Sequence, residues 1–270
     1  MRINVVVLMA GEGSRFKEVG YPMIKPFIEV NDKHILEWTT RSLNFIKHYD
    51  EDVDSPLDID ITFAIQRKHN IEFQISDRLK RIYGEHINIV ELESLTRGNL
   101  ETAYIATNKI VDDPDDAYMV EDYPILFLDS DNYYDGSLLY EFINQIIVYS
   151  ESMHFGSICC FDPLDNSSKW CFAGMEGHRV KWLSEKDSEA IGKGGKPMVG
   201  TFFFSSGSLF LDTASYLIKK GEMNRGEFYM SQCIQELIDF DIPVYAHKVD
   251  DVIPMGTPDD IIKARKLLTT

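Results

Sequence analysis

Four cysteines in 270 residues are too few for a disulfide framework, and no CxxC pair is present to suggest zinc or redox work. Cys159 and Cys160 are adjacent, so a strand there would point them to opposite faces, while Cys171 and Cys233 stand alone. The expectation is small buried thiols in a reducing compartment. Long apolar runs are also missing. The stretch from Val5 to Met9 is shorter than a signal peptide's apolar region, and no later run reaches membrane-spanning length. The reading is a soluble cytoplasmic protein with no membrane partner. Basic residues are scarce, 27 Lys plus Arg against 44 Asp plus Glu, for a formal net charge of -17. That balance argues against binding nucleic acid through a broad basic face. A local cluster of donors can still hold one small anion. Internal repeats and low-complexity linkers are absent as well.

What is present fits one α/β domain over residues 1–270. Hydrophobic residues make up 44% and charged residues 26%, which excludes wholesale disorder. Apolar runs predict strands at Val5 to Leu8, Ile59 to Ile65, Ile87 to Leu92 and Pro124 to Leu128. Helical spacing predicts helices at Ile35 to Ile46, Ile71 to Leu79, Leu100 to Val111 and Leu138 to Tyr149. This alternation implies a mostly parallel sheet with helices on both faces, which binds ligands at the carboxyl ends of its strands. The second half reads differently. Ser157 to Phe161, Trp170 to Met175, Val180 to Leu183 and Val199 to Ser205 look like strands without intervening helices. Lys193 to Pro197 looks like a flexible loop, and helices return at Leu209 to Lys219, Tyr229 to Phe240 and Pro258 to Leu268.

Gly11-Glu12-Gly13-Ser14-Arg15-Phe16 follows the first strand directly. A dinucleotide fingerprint would need a third glycine where Phe16 stands, and a Walker loop would need a terminal Gly-Lys-Ser/Thr. The remaining readings are a backbone cradle for phosphates with Arg15 as a fork, or a plain turn with an exposed arginine. On this motif alone they stand level. Lys25, ten residues on and held extended before Pro26, adds a second cation near the same strand end and tilts the balance toward a polyphosphate. Asp129-Ser130-Asp131 ends the fourth strand. Asp131 offers hard oxygen ligation for magnesium, or caps a turn; the first loop favours metal for Asp131 and not for Asp129.

Met9-Ala10-Gly11-Glu12-Gly13-Ser14-Arg15-Phe16, Lys25-Pro26-Phe27-Ile28-Glu29-Val30 and Leu36-Glu37-Trp38 together resemble the signature of the nucleotidylyltransferases that activate sugar phosphates and related small phosphorylated compounds. Gly98 with Glu101-Thr102-Ala103 resembles the family's second loop, facing the base. Glu185-Lys186 stands where a pair contacts the second substrate and its phosphate. Val199-Gly200-Thr201 resembles a strand packed on the acceptor, Gly226-Glu227-Phe228-Tyr229 a helix entry with an acceptor-facing glutamate, and Met255-Gly256-Thr257-Pro258 a closing loop. Lys186 read by itself could equally be an exposed partner of Glu185, and Glu227 a first-turn helix acid. The ending is similar to that of a capsule-associated bacterial subgroup.

The resemblance implies a three-layer Rossmann-like fold with a mixed, mostly parallel central sheet and a small β-rich acceptor-binding part. Residues 1–150 would hold the nucleotide and 151–270 the acceptor. It implies magnesium-dependent transfer from a nucleoside triphosphate (CTP, UTP or dTTP) to a phosphorylated small acceptor such as a sugar phosphate. Pyrophosphate leaves, and the product is an activated precursor for surface polysaccharide. Arg15 would take the β- and γ-phosphates, Lys25 the α-phosphate, Asp131 the Mg2+ and Lys186 the acceptor phosphate. Leu8, Ala10, Gly11, Gly13, Ser14 and Gly98 would line the nucleotide, and Glu185, Gly200 and Glu227 the acceptor. Pro254 stands where many members carry a second metal-binding aspartate, which leaves Asp250 or Asp251 as substitutes. The rival readings are a metal-dependent glycosyltransferase using a nucleotide sugar and a non-catalytic nucleotide sensor. The oligomeric state, a homo-oligomer included, is open.

Overall fold

The computed structural model describes residues 2–41, 58–112, 123–135, 154–164 and 169–268. The helix expected from Leu138 to Tyr149 lies outside these residues, as does the end of the one expected from Ile35 to Ile46. Strand β1 (Arg2–Leu8) is followed by α1 (Ser14–Glu18), a single 3-10 turn (Lys25–Phe27), the small ribbon β2 (Glu29–Val30) and β3 (Lys33–His34), and α2 (Ile35–Thr40). Then come β4 (Asp58–Gln66), α3 (Arg67–Phe73), α4 (Ile75–Tyr83), β5 (Asn88–Leu92), α5 (Asn99–Val111), β6 (Ile125–Asp129) and β7 (Asn132–Tyr133). The later elements are β8 (Gly156–Cys160), β9 (Cys171–Glu176), β10 (Arg179–Glu185), β11 (Lys196–Phe204), α6 (Gly207–Lys220), α7 (Met230–Asp239), β12 (Val244–Lys248), β13 (Ile253–Pro254) and α8 (Pro258–Leu267). Among the described residues no helix is long and apolar enough to cross a membrane.

Among the described residues the main sheet has nine strands in the order β5-β4-β1-β6-β11-β8-β12-β10-β9. Pairings from β5 through β6 are parallel, as the alternation of the first half predicts. Beyond β6 the sheet is mixed: β11 runs antiparallel to both β6 and β8, β12 is parallel to β8, and β9 and β10 form an antiparallel hairpin. The "mostly parallel" expectation therefore holds only for the first half. Two residues, Gly177 in a left-handed conformation and His178, separate β9 from β10, and such a short link can join only antiparallel neighbours. The strands of the second half extend the one sheet.

Three local expectations need correcting. The helix read from Ile71 to Leu79 is two helices broken at Gln74, whose backbone is left-handed (φ 54), with the Asn70 side chain accepting a 2.7 Å bond from the Ser76 N–H. The loop read from Lys193 to Pro197 ends in β11, where Lys196 and Pro197 pair with β9. Pro197 can sit there because its carbonyl still accepts from Phe161 (3.0 Å) while no donor is demanded of it. Lys25 opens a 3-10 turn; the extended residue is Ile24, one position earlier.

Alternation along each strand sorts the core into two layers. Val6, Leu8, Phe127, Cys160, Phe202 and Phe204 face α5, α6 and α7, while Val5, Val7, Leu126, Leu128, Cys159 and Phe203 face the α4 side. The adjacent cysteines thus point opposite ways, as expected. A third cluster joins Phe16, Ile28, Trp38 and Met255 to α8, and the Trp38 indole donates to the Val30 carbonyl at 2.9 Å. Glu37 accepts from the His34 N–H at 2.9 Å, so both residues of that motif fix the chain just after the first loop. Phe210 is fully buried, with ring centroids 4.3 Å from Phe127 and 5.1 Å from Phe204. Phe210→Ala should cost about 3–5 kcal/mol in urea unfolding, because the cavity cannot close between a helix and a sheet.

Candidate active site

The turn after β1 begins with the Met9 N–H donating to the Ala64 carbonyl at 3.1 Å, which fixes where the chain leaves the sheet. Gly13 then takes a left-handed conformation, and a Cβ on it would lie 3.4 Å from the Lys25 Cβ. A small residue here lets the Lys25 segment close against the loop. Phe16 anchors the other side, edge-on to Tyr21 at 5.3 Å. Leu8 through Gly13, Lys25, Pro26, Leu95 through Asn99, Gly226 and Glu227 wall a cavity of about 490 Å³. Its far wall depends on Gly98: a Cβ there would lie 2.2 Å from the Phe228 carbonyl oxygen, at a φ of +143. The Phe228 N–H donates to the Arg97 carbonyl (2.7 Å) and the Leu100 N–H to the Phe228 carbonyl (3.1 Å), which staples the second loop to the entry of α7.

Beyond Lys25 a second cavity of about 480 Å³ opens, walled by Arg15, Lys169, Trp170, Cys171, Glu185, Lys186, Met198 to Gly200, Phe202, Pro254, Gly256, Thr257 and Asp260. Asn99, Asp129, Asp131 and Tyr229 line both cavities. Asp131 accepts from the Lys25 ammonium and from the Asn132 amide, each at 2.8 Å. Its carbonyl accepts from Met255 (2.8 Å), and a Cβ on Gly256 would come within 3.1 Å of its carboxylate. Asp129 lies against Gly200, where a Cβ would sit 2.1 Å from the Asp129 carboxylate. Glycine at 200 is what leaves room for that carboxylate. Burial pushes the Asp129 carboxyl up to about 7, with the Asp131 charge adding to the effect and Lys25 opposing it.

Lys186 is left-handed (φ 54), its N–H donating to the Trp170 carbonyl at 2.9 Å. Its ammonium donates to the Tyr229 phenol at 2.6 Å. Glu185 accepts from the Ser231 hydroxyl (2.8 Å), and Lys169 pairs with the buried Asp260 at 3.1 Å. Burial pushes the Cys171 thiol well above its ordinary value, so no thiolate nucleophile faces this cavity.

The structure brings Leu8, Ala10, Gly11, Gly13, Lys25, Gly98 and Asp131 to the first cavity and Glu185, Lys186 and Gly200 to the second. Ser14 opens α1 and lines neither. Arg15 is exposed and lines the second cavity, whereas Glu227 lines the first. Asp250 and Asp251 are exposed and line neither, and Asp250 pairs with Lys248 at 3.1 Å. The carboxylate beside Asp131 is Asp129, which the sequence reading set aside. Asn99 was missed too: its amide reaches Asp129 (3.4 Å) and its oxygen accepts from the Met230 N–H (2.9 Å). Position after Gly98 was its only signal. Nothing in the sequence pairs Lys169 with Asp260.

No protein-family model matches the chain, and no curated protein does. Solved structures do. A nucleoside-diphosphate-sugar pyrophosphorylase from Vibrio cholerae RC9 superposes with a TM-score of 0.75 at 20% identity, over 97% of this chain and 99% of that one. The fold is that of sugar-phosphate nucleotidylyltransferases. The inositol-1-phosphate CTP transferase of T. maritima gives 0.68 at 13% identity, over 98% and 94% of the two chains. A Bacillus anthracis protein described as a glucose-1-phosphate thymidylyltransferase, in complex with a sucrose, gives 0.67 at 14% identity over the same shares. That shared fold agrees with the expected mixed α/β nucleotidyltransferase architecture.

Because the folded Asp129 carboxyl binds its proton more tightly than the unfolded one, whose ordinary value is 3.8, this group lowers stability progressively as pH rises toward about 7. In metal-free buffer, Asp129→Asn should melt with wild type near pH 4 and above it at pH 8, read by calorimetric melting.

Proposed function

We propose that the chain transfers a nucleotidyl group from a nucleoside triphosphate to a phosphorylated small molecule, releasing pyrophosphate. The observation that carries this reading is a pair of cavities of similar size meeting at Asp129 and Asp131, with Lys25 in the first and Lys169 and Lys186 in the second. The triphosphate occupies the first cavity with its base against the backbone of Leu8 to Gly11 and Gly98. The acceptor occupies the second. The names of the structural neighbours agree, since they include a CTP transferase acting on inositol 1-phosphate and a thymidylyltransferase for glucose 1-phosphate. CTP, UTP and dTTP are the donors we propose, and a sugar phosphate or similar compound the acceptor. The product would serve as an activated precursor for surface polysaccharide, on the strength of the Gly226 to Tyr229 and Met255 to Pro258 segments.

Mechanism follows from the groups present. An oxygen of the acceptor's phosphate attacks the α-phosphorus in line; the new O–P bond forms as the bond to the β-phosphate oxygen breaks, and pyrophosphate carries the electron pair away. The attacking oxygen is already anionic, so neither a protein nucleophile nor a strong general base is required. Catalysis is positioning plus charge neutralisation. Lys25 turns from Asp131 to the α-phosphate, and the acceptor phosphate is held by Lys186. No described residue holds the Arg15 guanidinium, which is free to turn toward the leaving β- and γ-phosphates. Asp129 and Asp131 supply hard oxygens suited to magnesium, and among the described residues no third His, Cys, Asp or Glu joins them. Such a donor set fits an ion that keeps phosphate oxygens and water as its other ligands. When bound, Mg2+ would offset charge on the phosphates as the bond breaks.

The reading is tested by incubating the protein with each triphosphate, Mg2+ and a panel of phosphorylated sugars and alcohols while following pyrophosphate. Release that requires both substrates supports it; a glycosyltransferase or a sensor would leave pyrophosphate at background. With an active pair in hand, Lys25→Ala should lower turnover by about two orders of magnitude, roughly 3 kcal/mol of transition-state contact. Near-wild-type release would remove Lys25 from the α-phosphate.

A further inference from the structure

Lys186 is held more firmly than a cation waiting in solvent needs to be. Its backbone is left-handed, a conformation a side chain beyond Cβ disfavours, and it is kept there by a bond from its own N–H to Trp170 and one from the Arg225 guanidinium to its carbonyl (3.2 Å). The ammonium sits 4.5 Å from the centroid of the Tyr229 ring and donates to the same residue's phenol oxygen at 2.6 Å. Burial raises the phenol above its ordinary value, and the nearby Glu227 carboxylate, on the wall of the other cavity, adds to the effect. Kept neutral, the phenol has oxygen lone pairs left for Lys186. Tyr229 is itself fixed at the entry of α7, where its N–H donates to the Gln232 side chain at 2.9 Å.

We propose that Tyr229 is a positioning residue for acceptor recognition: its phenol oxygen and ring face hold the Lys186 ammonium in the second cavity, aimed at the acceptor's phosphate. The inference rests on the nucleotidyl-transfer reading for what Lys186 binds, and on geometry alone for what holds Lys186. A lysine carries three ammonium donors on a flexible stem. One is spent on the phenol, which leaves two for phosphate oxygens along a fixed direction. Tyr229 lines both cavities, so the residue that holds Lys186 stands where the two substrates would meet.

Tyr229→Phe keeps the ring and removes the oxygen. It should raise the acceptor's KM about tenfold, the worth of one hydrogen bond to a charged group, with the triphosphate's KM unchanged and kcat lowered less. The decisive readout is the cycle with Lys186→Ala: if Tyr229 acts through Lys186, the double variant has the acceptor KM of Lys186→Ala alone. Additive losses, or an unchanged acceptor KM in Tyr229→Phe while Lys186→Ala is impaired, would overturn the proposal and leave the nucleotidyl-transfer reading standing. A second measurement needs no turnover. Reductively 13C-methylated protein, with the Lys186 signal assigned through Lys186→Arg, should show that signal shifting and narrowing in Tyr229→Phe. An unmoved signal means Tyr229 does not hold Lys186, whatever the reaction; a moved signal in a protein that releases no pyrophosphate with any pair keeps the positioning role and rejects the reaction.

Discussion

Two carboxylates two residues apart at the end of a buried strand repel each other, and both lose hydration there. Every contact around Asp129 and Asp131 answers that constraint. Lys25 comes from 106 residues away to neutralise Asp131, the Asn99 amide approaches Asp129, and Gly200 gives up its side chain so that Asp129 has somewhere to lie. An apolar sheet end would have been more stable. The arrangement makes sense as a place kept ready for more positive charge than one lysine supplies, which a divalent ion would provide.

The sheet explains why the charge sits between two cavities. Strand β6 is the last of the parallel set and the first to pair with an antiparallel neighbour. Loops from β1 and β5 gather on one side of its carboxyl end, and β10, β11 and the entry of α8 gather on the other. A crevice at the point where strand direction changes is where open α/β sheets bind ligands. The two halves remain joined across the crevice by short backbone bonds between Arg97, Leu100 and Phe228.

The main strands of the first half were legible because each contains a short apolar run. The first loop was legible because the Met9 to Phe16 and Lys25 to Val30 segments together resemble a family signature, and the structure does close Gly13 against Lys25. Other features were hidden for physical reasons. Strand β12 was not read at all, because Val244 to Lys248 alternates buried and exposed residues over too short a stretch beside Pro243. The break at Gln74 depends on a side-chain cap from Asn70 that periodicity cannot see. Asp250 and Asp251 looked like substitutes for the aspartate missing at Pro254, yet β13 pairs with β7 so that Pro254 faces Asn132 while the two acids stay on the surface. The carboxylate beside Asp131 is its near neighbour Asp129, at the end of the same strand.

The central claim is that these carboxylates are where metal and triphosphate meet. Calorimetric titration with a non-hydrolysable triphosphate, with and without Mg2+, tests it on wild type and Asp131→Asn. The account expects Mg2+ to tighten binding strongly in wild type and to have no effect in Asp131→Asn, with the melting temperature of the metal-free variant nearly unchanged. Equal magnesium dependence in the two proteins would contradict it.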